Sequence, residues 1–342
     1  MAMLQYSKFT VICNQFFSPS FTHLRQQQTF SVYNDDEDAL YVHHDLILPS
    51  YPMALEWLSF DPSESSSKGN LVAVGSMSPI IDVWDIDVID CLEPAFSLGQ
   101  KGSKKKKVAR VGHRDAVLSL AWNAGVGHLL ASGSVDQSVL LWDLRQGSVA
   151  RTLKGHAEKV QALDWHPFES HVLLTGCCDE IARVYDCNSG TCKSWKVQGE
   201  VEKVLWNRFN PFQFLVATEQ GYVHMVDARQ DGKHLWTLSA HSEGINGISM
   251  SSQCPGLLLT GSSDKTVKVW DINNQPCCLM EKDLKVGMVH SVHNCPDAPF
   301  VFAVGGDNPS HNMHVMDVRE SSAGTASRFR ILKKKMVKNS SN

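Results

Sequence analysis

Apolar and polar residues in this chain follow one another in short runs, none with the length or period of a helix. Between residues 112 and 143, GHRDAVLSLAWNAGVGHLLASGSVDQSVLLWD, three runs (117–122, 128–134 and 138–144) carry the β-branched, aromatic and small residues of half-buried strands. Small-residue or Asp/Gln turns separate them, and runs this short suit strands rather than independent helices. The arrangement returns: Gly155-His156 leads through LLTGCCD to Tyr185-Asp186, and Ala240-His241 leads through LLLTGSSD to Trp270-Asp271. Closing pairs stand at Trp84-Asp85, Trp142-Asp143, Tyr185-Asp186, Val226-Asp227, Trp270-Asp271 and Met316-Asp317, so that after one long interval each follows the last by 41 to 46 residues. A sustained period of this length predicts an all-β chain of repeated four-stranded sheets set around an axis as propeller blades.

With GH and WD marks, or residues substituting for them, keeping register over six copies, the chain resembles the WD-repeat family. The resemblance implies a hydrogen-bonded chain inside a blade, which here falls on His113, Ser132, Asp136 and Trp142, and again on His241, Thr260, Asp264 and Trp270. A third set offers His156, Thr175 and Asp179, with Tyr185 in place of the indole. Buried polar groups persist only when satisfied, so such a chain fixes register as well as stability. Three repeats depart from it, through Val74 and Ser78, through Val226 and through Met316, and are expected to be held by packing. Upstream, FSVY followed by Asn34 reads as the last strand of a partial blade, so seven blades are expected, the first incomplete. The propeller is assigned to 30–320. Residues 1–29 are expected to be poorly ordered apart from one strand near Phe9 to Cys13, and 321–342 to be a basic tail with a candidate ring-closing strand, FRIL.

Composition is that of an ordinary globular protein. No apolar run is long enough to span a membrane, no secretory signal pattern opens the chain, and it reads as intracellular with no membrane partner. The ten cysteines are scattered without C-x-x-C spacing, which suits reduced residues. His43 and His44 are adjacent on a strand and point to opposite faces, so they do not share a metal ion. No cofactor or metal is expected. Net charge is −4, yet residues 101–110 and 328–342 are strongly basic, leaving an acidic body. The loop 99–111 accounts for the long first interval. Its Lys101, Lys104, Lys105, Lys106 and Lys107 form a candidate nuclear-import or nucleic-acid contact, with a solvated charge run as the plainer reading.

No nucleophile elbow, zinc-protease motif or phosphate loop is present, and enzymatic activity is not expected. Near the start of four repeats stand Asp115, Glu158, Glu202 and Glu243. On one rim these acids would favour a basic partner, such as a histone tail or a ribosomal-protein segment, although acids in such turns also serve as caps. Trp142-Asp143-Leu144-Arg145 resembles the docking motif of propeller receptors for cullin ubiquitin ligases, with Arg145 as the contact. Tryptophans at 57, 122, 165 and 206, together with YVHHDLILPSYP, ALEWLSFDPS and the lysine run, resemble the periodic tryptophan protein 1 group over roughly residues 30–318. That group carries an acidic N-terminal segment, and this chain reads as a form without it. The resemblance implies a nuclear and nucleolar scaffold, associated with chromatin through protein contacts, that supports ribosomal DNA transcription, rRNA processing and ribosome biogenesis. A ligase receptor and a direct nucleic-acid binder are the alternatives.

Overall fold

The computed structural model describes residues 3–6, 9–15, 26–34, 39–62, 69–89, 91–102 and 109–319. Every regular element among them is a strand, apart from one short 3-10 turn, Ala124–Val126. Six antiparallel sheets follow in chain order, spanning 52–98, 117–153, 160–196, 201–239, 245–282 and 289–317, and are called blades 1 to 6. Blades 1 to 5 have four strands each, and blade 6 has three among the described residues.

Burial explains the composition of the strands. Second strands such as Leu71–Ser76, Leu257–Ser262 and Val301–Gly306 are buried along their whole length, because a blade is covered on both faces by its neighbours. They accordingly read as continuous apolar or small residues. The fourth strand His234–Ser239 lies at the outer edge and shows half-buried and exposed positions in alternation. The core is divided into layers between successive blades: Val117, Leu120 and Trp142 pack with Leu58 and Val83 of blade 1, and Phe302 and Val304 pack with Leu257 and Val269 of blade 5. Glycine on the second strand sets how closely blades approach. A Cβ at Gly176 or Gly261 would lie 2.4 Å from a methyl of Val201 or Val289, the first residue of the next blade.

Two expectations are corrected. Among the described residues the ring has six blades, not seven: the FSVY segment lies in Gln26–Asn34, the third strand of a further sheet made with Met3–Tyr6, Phe9–Gln15 and Ala39–Leu48. Leu46 and Leu48 of its last strand pack on Leu55, Trp57 and Val72, covering a face of blade 1. Residues 1–29, expected to hold one strand, contribute to three. Antiparallel pairing such as Phe9↔Asn34 and Gln15↔Gln28 is made by backbone groups, so the polar QQQ run joins it without an apolar period. The candidate strand FRIL and the basic tail at 321–342 lie outside the described residues, as do Lys104, Lys105, Lys106 and Lys107. The neck of that loop is described: Gln100 and Val111 exchange backbone hydrogen bonds of 2.7 and 3.0 Å, and Lys101 beside it is exposed.

Candidate interaction faces of the ring

The GH and WD residues build the frame. In blade 2 the Trp142 indole N–H donates to Ser132 Oγ (2.8 Å), Ser132 Oγ lies 2.7 Å from His113 Nε2, and His113 Nδ1 lies 3.2 Å from Asp136. Blade 5 repeats this with Trp270 to Thr260 (2.9 Å), Thr260 to His241 (2.7 Å) and His241 to Asp264 (2.9 Å). A neutral histidine protonated at Nδ1 uses each donor in the chain once. Burial alone would raise both aspartates. The hydrogen bonds from His113, Ser138 and the Arg114 N–H instead hold Asp136 well below the usual carboxylate range, and Thr266 with His241 holds Asp264 at about 2. Gly112 precedes His113 at φ +94°, and a Cβ there would stand 2.7 Å from the Trp142 ring, so the opening glycine makes room for the closing indole.

Blade 3 does not assemble the expected set. His156 reaches Thr175 (3.0 Å), but Asp179 is held by both guanidinium nitrogens of Arg183 at 3.0 and 2.7 Å. Among the described residues His156 Nδ1 has no hydrogen-bond partner, and Tyr185 donates to Lys154 O (3.2 Å) rather than to Thr175. The sequence signal for this rewiring lies two residues after the aspartate: Ser138 and Thr266 place a hydroxyl 2.6 Å from Asp136 and Asp264, whereas blade 3 has Ile181. Burial, then the positive Arg183, pushes the His156 imidazole down to about 4. In blade 1 the Trp84 indole N–H is buried with no hydrogen-bond partner among the described residues.

The first strands of all six blades line a central channel of about 310 Å³. In each, the second residue bulges out of the pairing, as between Val160 and Ala162 or Ile245 and Gly247. Bulged Gln161 and Asn246 donate to the carbonyls of Val201 and Val289 in the next blade, at 3.1 and 3.0 Å. At the other end of the channel Glu56 accepts from the Trp122 N–H (2.9 Å), Asp164 from the Trp206 N–H (2.7 Å) and Ser249 Oγ from the Asn294 N–H (2.9 Å). These side chains stitch alternate blade junctions. Burial pushes both carboxyls up to about 7, against the opposing backbone hydrogen bonds.

We call the end where the first strands begin the near face and the other the far face. Asp115, Glu158 and Glu243 are exposed on equivalent near-face turns, where their carbonyls accept from Ser134, Cys177 and Ser262. Glu202 is not equivalent. It is the bulged, half-buried residue of Val201–Trp206, and the position matching the other acids is Gly199. Burial raises its pKa, and Glu200 and Glu219 nearby add to the rise. Asp115 also caps its own turn through the Ala116 N–H at 2.8 Å. On the far face, all six closing aspartates cap the turn that follows, accepting a backbone N–H two residues on at 2.8–3.0 Å. Arg229 and Arg319 fold back onto Asp227 and Asp317, whereas the exposed Arg145 lies 5.8 Å from the Phe60 ring centroid and, among the described residues, forms no ion pair with Asp143.

The family model for the WD domain, G-beta repeat, matches residues 105–143, 147–186 and 232–271, which contain the closing pairs of blades 2, 3 and 5. The chain is 43% identical over 285 residues to the periodic tryptophan protein 1 homolog of Drosophila melanogaster, covering 81% of this chain and 62% of that protein. It is 35% identical over 307 residues to periodic tryptophan protein 1 of Saccharomyces cerevisiae, covering 80% and 53%. A more distant relative, the ribosome biogenesis protein WDR12 homolog of Drosophila pseudoobscura pseudoobscura, is 25% identical over 214 residues, covering 61% and 50%. The chain thus spans half to two thirds of the length of these relatives. Repeats, blades and relatives agree: the chain has a β-propeller fold, carries WD repeats over 105–143, 147–186 and 232–271, and is similar along most of its length to periodic tryptophan protein 1.

Proposed function

We propose that the chain is a non-enzymatic scaffold of ribosome biogenesis, working in the nucleus and nucleolus, where it supports ribosomal DNA transcription and rRNA processing and meets chromatin through protein partners. The observation that carries this reading is the 43% identity to the periodic tryptophan protein 1 homolog, together with the similarity to a ribosome biogenesis protein WDR12 homolog. The candidate contact is the near face, where exposed Asp115, Glu158 and Glu243 present negative charge to basic segments such as histone tails or ribosomal proteins, with half-buried Glu202 on the bulge of the blade 4 first strand. The lysine loop, Lys101 and Lys104 to 107, is proposed as the import signal.

The test is depletion of the protein from cells, with rescue by the wild type or by the triple variant Asp115→Lys, Glu158→Lys, Glu243→Lys. Pulse-labelled rRNA precursors are expected to accumulate on depletion, to mature with the wild type and to stay unprocessed with the variant. Normal precursors after depletion would end this reading. A receptor role for a cullin ligase is a second reading, favoured by the exposed Arg145, whose guanidinium forms no ion pair among the described residues. It requires adaptor binding that Arg145→Ala abolishes without lowering thermal stability. Direct nucleic-acid binding through the lysine loop requires an affinity that falls steeply with salt.

A further inference from the structure

The far face carries an apolar patch that the near-face reading does not use. Four blades place phenylalanine just after the first strand, and the structure divides them. Phe60 of blade 1 and Phe300 of blade 6 are buried, at 6% and 5% exposure, whereas Phe168 of blade 3 and Phe209 and Phe212 of blade 4 are 63%, 39% and 42% exposed. Their loops are rigidly supported. His166 Nδ1 accepts the N–H groups of Phe168 (3.2 Å) and Glu169 (2.8 Å), while Asn207 and Asn210 side chains accept those of Phe209 (3.0 Å) and Phe212 (3.1 Å). The two loops are also locked to each other: His166 Nε2 donates to Pro211 O at 2.7 Å, and its ring stands 4.5 Å from that of Trp206 and 5.9 Å from that of Phe168. Solvent-facing phenylalanines held this way lose little conformational freedom on binding, the condition under which aromatic anchors dominate an interface.

Charge selects the occupant. Arg208, between Asn207 and Phe209, is exposed at the channel mouth and makes no ion pair within 4.0 Å among the described residues. The Arg229 guanidinium lies 4.3 Å from the Phe212 ring centroid with its side chain 60% exposed. The neighbouring acids are engaged: Asp164 by the Trp206 N–H, Asp227 by Arg229 and Asp231 by Lys193. Glu169, next to Phe168, is an opposing carboxylate and lies 4.0 Å from His171.

We propose that Phe168, Phe209 and Phe212, flanked by Arg208 and Arg229, form a docking site for a short protein segment that presents bulky apolar residues beside carboxylates. The ring then holds partners of opposite charge at its two ends, about 20 Å apart along the first strands. Fluorescence anisotropy on the full chain tests this, using synthetic dodecamers that share one Leu/Phe core and are flanked by Asp/Glu, Ser or Lys, with oligouridine as a nucleic-acid probe. The Asp/Glu-flanked peptide should bind at least ten times more tightly than the Lys-flanked one. Phe168→Ser and Arg208→Glu should each weaken it tenfold or more with an unchanged melting temperature, while Lys282→Glu, the same charge change at the near-face end of blade 5, should not. Equal affinity for all flanks, no peptide binding, or preferential binding of oligouridine would overturn the proposal.

Discussion

Replacing Trp142 and Trp84 by phenylalanine, one at a time, separates the hydrogen-bonded frame from simple packing. Both indoles are buried, at 0% and 1% exposure, and close equivalent third strands, so the smaller ring should leave a similar void costing about 1 kcal/mol in either blade. Their N–H groups differ. That of Trp142 donates to Ser132 Oγ at 2.8 Å, and losing this bond should cost about a further 1–1.5 kcal/mol. The N–H of Trp84 has no partner among the described residues, so removing it relieves a desolvated donor of about 1–3 kcal/mol. Trp142→Phe should therefore destabilise by ~2–3 kcal/mol, and Trp84→Phe should fall near neutral or stabilise slightly. Equilibrium urea unfolding measures both, with the slope checked for constancy so that the midpoint shift reports stability. Equal losses in the two blades would refute the argument that the GH to WD chain, rather than indole packing, distinguishes them.

Other consequences follow from the same geometry. The Glu56 and Asp164 carboxyls titrate at about 7 in the folded chain, above their ordinary values, so their contribution is fully present below pH ~4.5 and is lost as pH rises through 7. Glu56→Gln keeps an acceptor for the Trp122 N–H. It should flatten the fall in melting temperature between pH 5 and 8 and stabilise at pH 8 by on the order of 2 kcal/mol, a figure reduced for water in the channel; an unchanged pH profile contradicts this. Asp264, held at about 2, works with the opposite sign: its stabilisation is present above pH ~4 and lost as pH falls through 2, and Asp264→Asn should lose it at pH 7. In blade 3, Arg183→Met frees Asp179 to meet His156, so an NMR titration should move that imidazole up from about 4 towards the ordinary histidine range. A resonance still titrating near 4 would show that Arg183 does not hold the aspartate away.

Much of the frame was legible because its marks are chemical. A glycine that must clear an indole, a histidine with a hydroxyl partner and an aspartate that caps a turn recur at fixed offsets, and Gly112, His113, Ser132, Asp136 and Trp142 can be read from one repeat. Blade 3 was legible only in part, since Ile181 in the place of a hydroxyl does not announce that Arg183 will take the aspartate. Glu202 was misplaced because blade 4 lacks a GH pair to fix the offset, and a bulge shifts a residue without leaving a signature. The N-terminal sheet escaped because backbone pairing through Gln26, Gln27 and Gln28 needs no apolar period. Five phenylalanines follow first strands in much the same way, and only packing decides that Phe60 and Phe300 turn inward while Phe168, Phe209 and Phe212 face solvent.

The role proposed for this propeller is to hold proteins of ribosome biogenesis on its end faces. Sucrose-gradient sedimentation of nuclear extract measures that directly. The full chain should travel with pre-ribosomal particles, and the triple variant Asp115→Lys, Glu158→Lys, Glu243→Lys, folded to the same melting temperature, should shift to the top of the gradient. A wild-type chain that stays at the top as free protein, or a triple variant that sediments unchanged, would contradict it.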